Sequence, residues 1–326
     1  MDFNPNLKSK LKMESTLNFF KIENNYYKNK NIIITGATSP VGISLVETLI
    51  SLGANLLLIS HDESKLQNTF SHLLESDIDN NNEEEENENQ SQSNNNNNSS
   101  IKNNNLIQYE IIDLENAKEI NEKYPLCLKK LKAKLDILLI CHGINYYSKI
   151  KECTIENFDK IINLNVRSVF HILSLSVPFL KLTKGNCVIL SSLESFIPKN
   201  QGFLNTTSKA MINSLVQNSA LELSSFGVRI NAVAPSKIKK EEKKDENNFD
   251  NNFGMIWGGS GNNNTVNEGG VYPLSKKLIE KNNVADTILF LASDEASFIT
   301  GEIIQNDNGF SINHDLSFTN DNNQYN

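Results

Sequence analysis

The first stretch able to do chemistry is Thr35-Gly36-Ala37-Thr38-Ser39-Pro40-Val41-Gly42, which joins an apolar, β-branched run to a helical pattern. A glycine-bearing turn from a strand into a helix N-terminus can cradle a pyrophosphate. Its backbone N–H groups and the helix dipole face the anion, and Gly36 and Gly42 allow close approach. The same residues also suit an ordinary strand-to-helix turn, and alone they leave both readings open. The four cysteines, Cys127, Cys141, Cys153 and Cys187, form no CxxC pair and show no metal-ligand spacing, so no metal site is expected. Three lie in or beside apolar runs, where a buried, reduced thiol is the ordinary role. A reducing compartment fits that usage.

The elements that must position such a turn alternate along the chain. Short apolar runs predict strands at Asn31–Thr35, Leu56–Ile59, Ile107–Ile112, Leu135–Ile140, Cys187–Leu190, Val228–Val233 and Ile303–Gln305. Pro40–Leu52 predicts a helix, with Pro40 at its first position, a stripe of Val41, Leu45, Leu49 and Leu52, and Gly53 as its stop. Further helical patterns cover Ile155–Leu182 (with a break), Leu204–Ser225 and Val284–Ala292. This alternation implies an α/β architecture: a doubly wound, seven-stranded parallel sheet with helices on both faces, the Rossmann fold. Ligands should then collect at the carboxyl ends of the strands.

A length of 326 residues would by itself suggest two domains. Much of it is filler, however. Residues 79–105 are almost all Asn, Glu and Ser, and 239–270 are charged and then Asn/Gly-rich. Such tracts carry too little apolar surface to offset ordering entropy, and they dilute the 38% hydrophobic content. The expected organisation is a flexible N-terminal extension over 1–29, a single domain over 30–314 interrupted by both tracts, and a disordered tail over 315–326. Lys+Arg 31 against Asp+Glu 39 gives a net charge of −8, which provides no global basic field for nucleic acid. No run of about 18 apolar residues is present, so no membrane span is expected. There is no signal-peptide core, Asp2, Glu14 and Glu23 argue against a transit peptide, and the final Gln-Tyr-Asn is no peroxisomal signal. A cytoplasmic location is expected.

In motif order the chain resembles the short-chain dehydrogenase/reductase family, in its single-domain branch. The family's turn is TGxxxGxG. Further marks follow at the expected intervals: Asp113-Leu114 after the third strand, Cys141-His142-Gly143 after the fourth, Asn165 within NLNV, and Ser191-Ser192 after the fifth. Then come Lys209 in TTSKA, RINAVAP ending at Pro235, and FLASDEASFITGEIIQNDNG near the end. The resemblance spans Lys30 to Ile312, and FGMIW at Phe253–Trp257 makes it most like the NADP-dependent carbonyl reductases. It implies that Gly36, Ser39, Val41 and Gly42 hold the cofactor phosphates. Asp113 would accept from the adenine amine, with Leu114 beside it, and Gly143 would pass under the adenosine ribose. Ser192 would bind the substrate oxygen. Lys209 would grip the nicotinamide ribose, Asn165 would anchor a water linked to it, and Ile238 would lie by the carboxamide. The family's helices equivalent to 166–182 and 204–225 pack between subunits, which implies a homo-oligomer (a dimer or tetramer) and a small carbonyl or alcohol substrate.

The sequence departs from the family four residues before Lys209, where the resemblance calls for a tyrosine as general acid/base and the chain has Asn205. A carboxamide donates a hydrogen bond but does not titrate near neutral pH. Losing a general acid costs about 10²–10⁴ in rate. Pro40 replaces the turn's middle glycine, Ile140 and Cys141 replace an asparagine pair, Ser236 replaces a glycine, and Lys240 replaces a threonine. Tyr146 and Tyr147 follow the fourth strand, whose carboxyl end borders the pocket. One of them turning inward would supply a proton; a surface or interface position is the commoner fate of both. His142 should be structural and His171 a core or interface residue. After the second strand, His61 stands where NADP-preferring relatives place an arginine, so the expected cofactor is NADP ahead of NAD. Asp62 and Glu63 weigh against that choice, and Asp62 equally suits a helix N-cap. The chain is therefore read as an oxidoreductase with weakened or rerouted chemistry. The alternatives are a catalytically silent dinucleotide-binding protein and an oligomeric scaffold.

Overall fold

A computed structural model describes residues 26–73, 107–239, 253–255 (backbone only), 274 and 278–313. Residues 1–25 of the expected extension, the 79–105 tract, the tail, Lys240 and Trp257 lie outside the described residues.

Strand β1 (Asn31–Thr35) pairs in parallel with β2 (Asn55–Ser60) on one side and with β4 (Ile137–Ile140) on the other. Outward from β2 lies β3 (Ile107–Ile111). Two short segments, β5 (Ile144–Tyr146) and β8 (Phe253–Met255), form a separate antiparallel pair. Beyond β4 come β6 (Asn186–Leu190), β7 (Arg229–Pro235) and β9 (Ile303–Asn306). The seven-stranded order is β3-β2-β1-β4-β6-β7-β9. The winding reverses between β1 and β4, and the crevice at their carboxyl ends is where such sheets bind ligands.

Helix α1 (Pro40–Ser51) follows β1, α2 runs over 63–73, and α3 (Ala117–Lys130) follows β3. After β5 come α4 (Ile155–Ile162) and α5 (Ser168–Thr183), after β6 comes α6 (Phe203–Leu223), and α7 (Lys281–Ala292) precedes β9. The period-two alternation of the strands divides the core between the two faces. Ile32 and Ile34 pack with Val41, Leu45 and Leu49 of α1 and with Val284 and Ile288 of α7. Ile33 points the other way, to Ile120 of α3, Ile172 of α5 and Ile212 of α6. Each such fully buried side chain contributes about 1.5–3 kcal/mol.

Local signals set the ends of the elements. Ser39 caps α1, its Oγ accepting from Gly42 N at 3.1 Å, and Pro40 occupies the first turn, where a missing N–H costs nothing. Gly53 (φ +82°) ends the helix, as its position implied. Tyr27 falls in the expected extension, yet it is buried and its hydroxyl donates to Leu289 O at 2.5 Å.

The break expected within 155–182 is a π-helical turn, Asn163–Arg167, that joins α4 to α5 without ending the helix. Joined in this way, Ile155–Thr183 is 29 residues long and apolar enough to cross a membrane by length and composition, which the sequence pattern had not indicated. Val169, Ile172, Leu173 and Leu180 of this helix pack in the core of the sheet.

Candidate active site

The residues singled out in the sequence gather at the carboxyl ends of β1, β2, β3, β4, β6 and β7. In the phosphate turn, Gly36 has φ +65°, and a Cβ there would sit 2.7 Å from His142 N. A Cβ on Gly42 would meet Gly36 O at 2.4 Å. These contacts require glycine at both positions and leave the turn's backbone bare. Several of its amides are already engaged, however. Gly36 N and Ala37 N reach Ile59 O, Ser39 N reaches Gly36 O, and Gly42 N is capped by Ser39 Oγ. The Val41 N–H has no acceptor among the described residues. At the tip of β2, His61 is exposed, and Asp62 acts as an N-cap, its Oδ1 accepting from Lys65 N at 2.9 Å. At β3, Asp113 is exposed with Oδ1 accepting from Glu115 N, and Leu114 is buried.

His142, directly after Ile140 and Cys141, is buried at the carboxyl end of β4. Its Nδ1 lies 2.7 Å from Thr35 Oγ1, and its Nε2 lies 2.6 Å from Ser168 Oγ. Ser168 spends its single proton on Leu164 O, so it accepts from Nε2–H, and Nδ1 accepts from Thr35. Burial, and then the charge of Lys209, push the imidazole down to about 3. His142 is a neutral brace, as expected. His171 bonds Asn121 Oδ1 at 2.8 Å, tying α5 to α3. Gly143 follows with φ +149°, a conformation that favours glycine.

On the reaction side, Lys209 is 2% exposed, and its Nζ donates to Leu190 O at 2.8 Å. Burial pushes this ammonium down to about 8, against the opposing pull of Cys141 and Glu194. Asn165 sits in the π turn and brackets Ile144, accepting from its N at 2.9 Å and donating to its O at 2.8 Å. Ser192 Oγ accepts from Glu194 N at 3.2 Å, which leaves its own proton to donate. Asn205 is buried. Its Oδ1 accepts from Tyr146 N at 2.8 Å, and its Nδ2 has no partner. Ile238 is buried in the core beside Ile279, and the nearby Ser236 Oγ is buried without a partner.

The two tyrosines diverge: Tyr146 is buried within the chain rather than at its surface, and Tyr147 is half-buried. Tyr146 is buried against Ile161 and Leu204, with its hydroxyl accepting from Asn157 Nδ2 at 2.7 Å. Tyr147 is half-buried and donates to Glu194 Oε1 at 2.7 Å. Burial first, then the charge and acceptor of Glu194, push its phenol above the usual range, while the Asn205 side chain pulls the other way. Lys199 Nζ lies 4.8 Å from the centre of its ring.

The family model for Enoyl-(Acyl carrier protein) reductase matches residues 86–311. The chain belongs to the short-chain dehydrogenase/reductase family. A tropinone reductase homolog of Arabidopsis thaliana is 28% identical over 282 residues, covering 86% of this chain and 90% of the relative. The 3-oxoacyl-[acyl-carrier-protein] reductase of Thermotoga maritima is 31% identical over 206 residues, 62% of this chain and 75% of the relative. Among solved structures, the 3-ketoacyl-(acyl-carrier-protein) reductase of Brucella melitensis complexed with NADH superposes with a TM-score of 0.66 at 18% identity, covering 87% of this chain and 99% of that one.

Members of this short-chain dehydrogenase/reductase family bind NAD(P), and the slot fits such a group. Bare glycine backbone lines the turn, the Lys209 ammonium has protons to spare beyond Leu190 O, and the Ser236 hydroxyl lacks a partner. Sequence reading missed Glu194. Its only signal was its place two residues after Ser192.

Proposed function

We propose that this short-chain dehydrogenase/reductase binds NADP(H) in preference to NAD(H) and interconverts a small carbonyl and its alcohol. The observation that carries this reading is Lys209. A buried ammonium with one protein acceptor is costly unless further partners arrive, and the vicinal hydroxyls of a nicotinamide ribose are such partners. When bound, the cofactor supplies or removes hydride. Gly36, Ser39, Val41 and Gly42 would hold its phosphates. Asp113, Leu114 and Gly143 would line its adenosine, and Asn165 would keep a water by Lys209. Ile238 and Ser236 would face the carboxamide. Ser192 Oγ–H, with Asn205 Nδ2 beside it, would orient the substrate oxygen.

The preference for NADP rests on His61, exposed at the tip of β2, and on Asp62, whose carboxylate is turned to the Lys65 amide rather than left to repel a 2′-phosphate. Assembly into a homo-oligomer is supported by Phe170, Met211 and Leu221, apolar residues 59%, 44% and 79% exposed on α5 and α6. The free cysteines support a reducing, cytoplasmic setting.

The test is fluorescence titration with NADPH and NADH, followed by a ketone and aldehyde panel. Micromolar NADPH affinity with measurable turnover is expected. Binding without turnover would leave the silent-binder alternative standing, and absence of binding at millimolar cofactor would overturn the reading.

A further inference from the structure

We propose that Tyr147, held by Glu194, is the proton carrier of this site and occupies the role that Asn205 cannot fill. The inference rests on the carbonyl/alcohol reading above and names a catalytic residue for it.

The backbone fixes Tyr147 on both sides. Tyr146 N is held by Asn205 Oδ1 at 2.8 Å, and Ser148 N by Gln201 O at 2.9 Å. The segment between them is therefore clamped to the start of α6 and to the loop before it. The phenol reaches Glu194 Oε1 at 2.7 Å, and Glu194 N is bonded to Ser192 Oγ at 3.2 Å. The residue that holds the phenol therefore lies in the short turn that Ser192 opens. Glu194 Oε2 is buried without a partner, and Asn205 Nδ2, whose side chain acts on the phenol, is buried with no other partner. Such groups are rare in a finished core and point to an absent ligand. The charged groups at the phenol are Glu194, which accepts its proton, and Lys199, over its ring; Lys209 is coupled to Glu194 rather than to the phenol.

In reduction, a reduced nicotinamide dinucleotide gives hydride to the carbonyl carbon. A C–H bond forms, and the carbonyl π pair moves onto oxygen. That oxygen takes the proton of Tyr147 Oη, and a proton from solvent water, relayed over Glu194 Oε1, returns to the Tyr147 oxygen, so that Glu194 begins and ends as carboxylate. In oxidation, the alcohol O–H breaks toward Tyr147 Oη, the phenolic proton leaves over Glu194 Oε1 to solvent water, and hydride leaves to the oxidised dinucleotide.

The test compares Tyr147→Phe, Glu194→Gln and Asn205→Tyr in the full chain, with circular dichroism and NADPH titration to confirm that each variant folds and binds. Tyr147→Phe should lower kcat by about 10²–10⁴-fold, with KM and NADPH affinity unchanged. Glu194→Gln should lower kcat with KM unchanged. Adding Asn205→Tyr to Tyr147→Phe should restore turnover. A readout independent of turnover is the ultraviolet titration of tyrosine in the ligand-free chain. The signal lost in Tyr147→Phe should ionise above the usual tyrosine range and fall in Glu194→Gln. Wild-type turnover in Tyr147→Phe, or a phenol indifferent to Glu194→Gln, overturns the proposal. A chain that binds NADPH but reduces a ketone only once Asn205→Tyr is made also overturns it while leaving the dinucleotide slot intact. Failure to bind NADPH at all is instead the failure of the underlying reading.

Discussion

Gly36 N and Ala37 N both turn to Ile59 O at the phosphate end of the slot, and Asp62 and Asp113 each close a local turn with their own carboxylate. At the reaction end, Glu194 Oε2, Asn205 Nδ2, Thr206 Oγ1 and Ser236 Oγ are buried with no partner. These are four of the six such side-chain atoms among the described residues. The first end therefore leaves little but its Val41 N–H unmet, and the second holds most of the deficit of buried side-chain atoms. An unpaired buried donor or acceptor costs about 1–3 kcal/mol, so a fold keeps several together only where something else completes them. The contrast places binding geometry at the first end and chemistry at the second, although the departures from the family pattern concentrate at the second.

The sharpest way to break that contrast is Lys209→Met. The substitution removes a buried cation and keeps its volume, so the fold should hold or gain stability. Turnover should fall about 10²–10³-fold, the cost typical of one lost electrostatic contact in an active site. Single-turnover kinetics beside thermal melts check both. A fall in stability without a fall in turnover would make Lys209 a structural residue. At the other end, Gly42→Ala places a methyl 2.4 Å from Gly36 O. The expected cost is about 1–3 kcal/mol of stability from overpacking, with NADPH affinity reduced about tenfold and kcat preserved in the molecules that bind. Isothermal titration and saturating kinetics separate those effects.

The sheet was legible because its strands are buried on both faces. NIIIT and ILLI read as continuous apolar runs, and the observed β1 and β4 fall within the expected ranges. Pro40 and Gly53 marked the ends of α1 for stereochemical reasons that hold locally. Lys209, Ser192 and Asn165 were legible through their spacing within the family pattern. The β5–β8 pair was not, because three-residue strands that pair across more than a hundred positions leave no periodic trace. Nor was the Tyr147–Glu194 bond, which spans 47 positions and depends on two backbone clamps that no local pattern encodes. The sequence marks a break near Asn163–Arg167 but not a π turn, since its two asparagines weaken a helix without encoding the wider turn that keeps it continuous.

His142 stands between the two ends and offers a weaker probe. Its folded value is about 3 against an ordinary 6.5, so the unfolded chain binds a proton that the folded chain refuses between those values. Stability from this residue is complete above pH 6.5 and drains away as pH falls toward 3. In urea unfolding from pH 7 to 4, His142→Gln should lose less stability on acidification than the wild type, even if it starts lower. Equal acid sensitivity would mean that His142 is solvated rather than locked between Thr35 and Ser168, and the wall joining the two ends would be looser than its hydrogen bonds indicate.

The smallest effect is expected on the alkaline side and returns to the reaction end. Lys209 titrates at about 8 when folded against 10.5 when exposed, so between those values the unfolded chain again holds the extra proton. The sign is the same as for His142: stability rises with pH across this window, because raising pH removes a charge whose burial is unfavourable. Lys209→Met should lack that rise, and the difference in melting temperature between wild type and variant should narrow by a few degrees from pH 7.5 to 10. Activity should move in the opposite direction, falling above about pH 8 as the cation that grips the ribose disappears. If saturating NADPH abolishes the alkaline gain in stability, the ammonium has found its missing partners in the cofactor. That result would tie the unmet hydrogen-bonding capacity of this end directly to ligand binding.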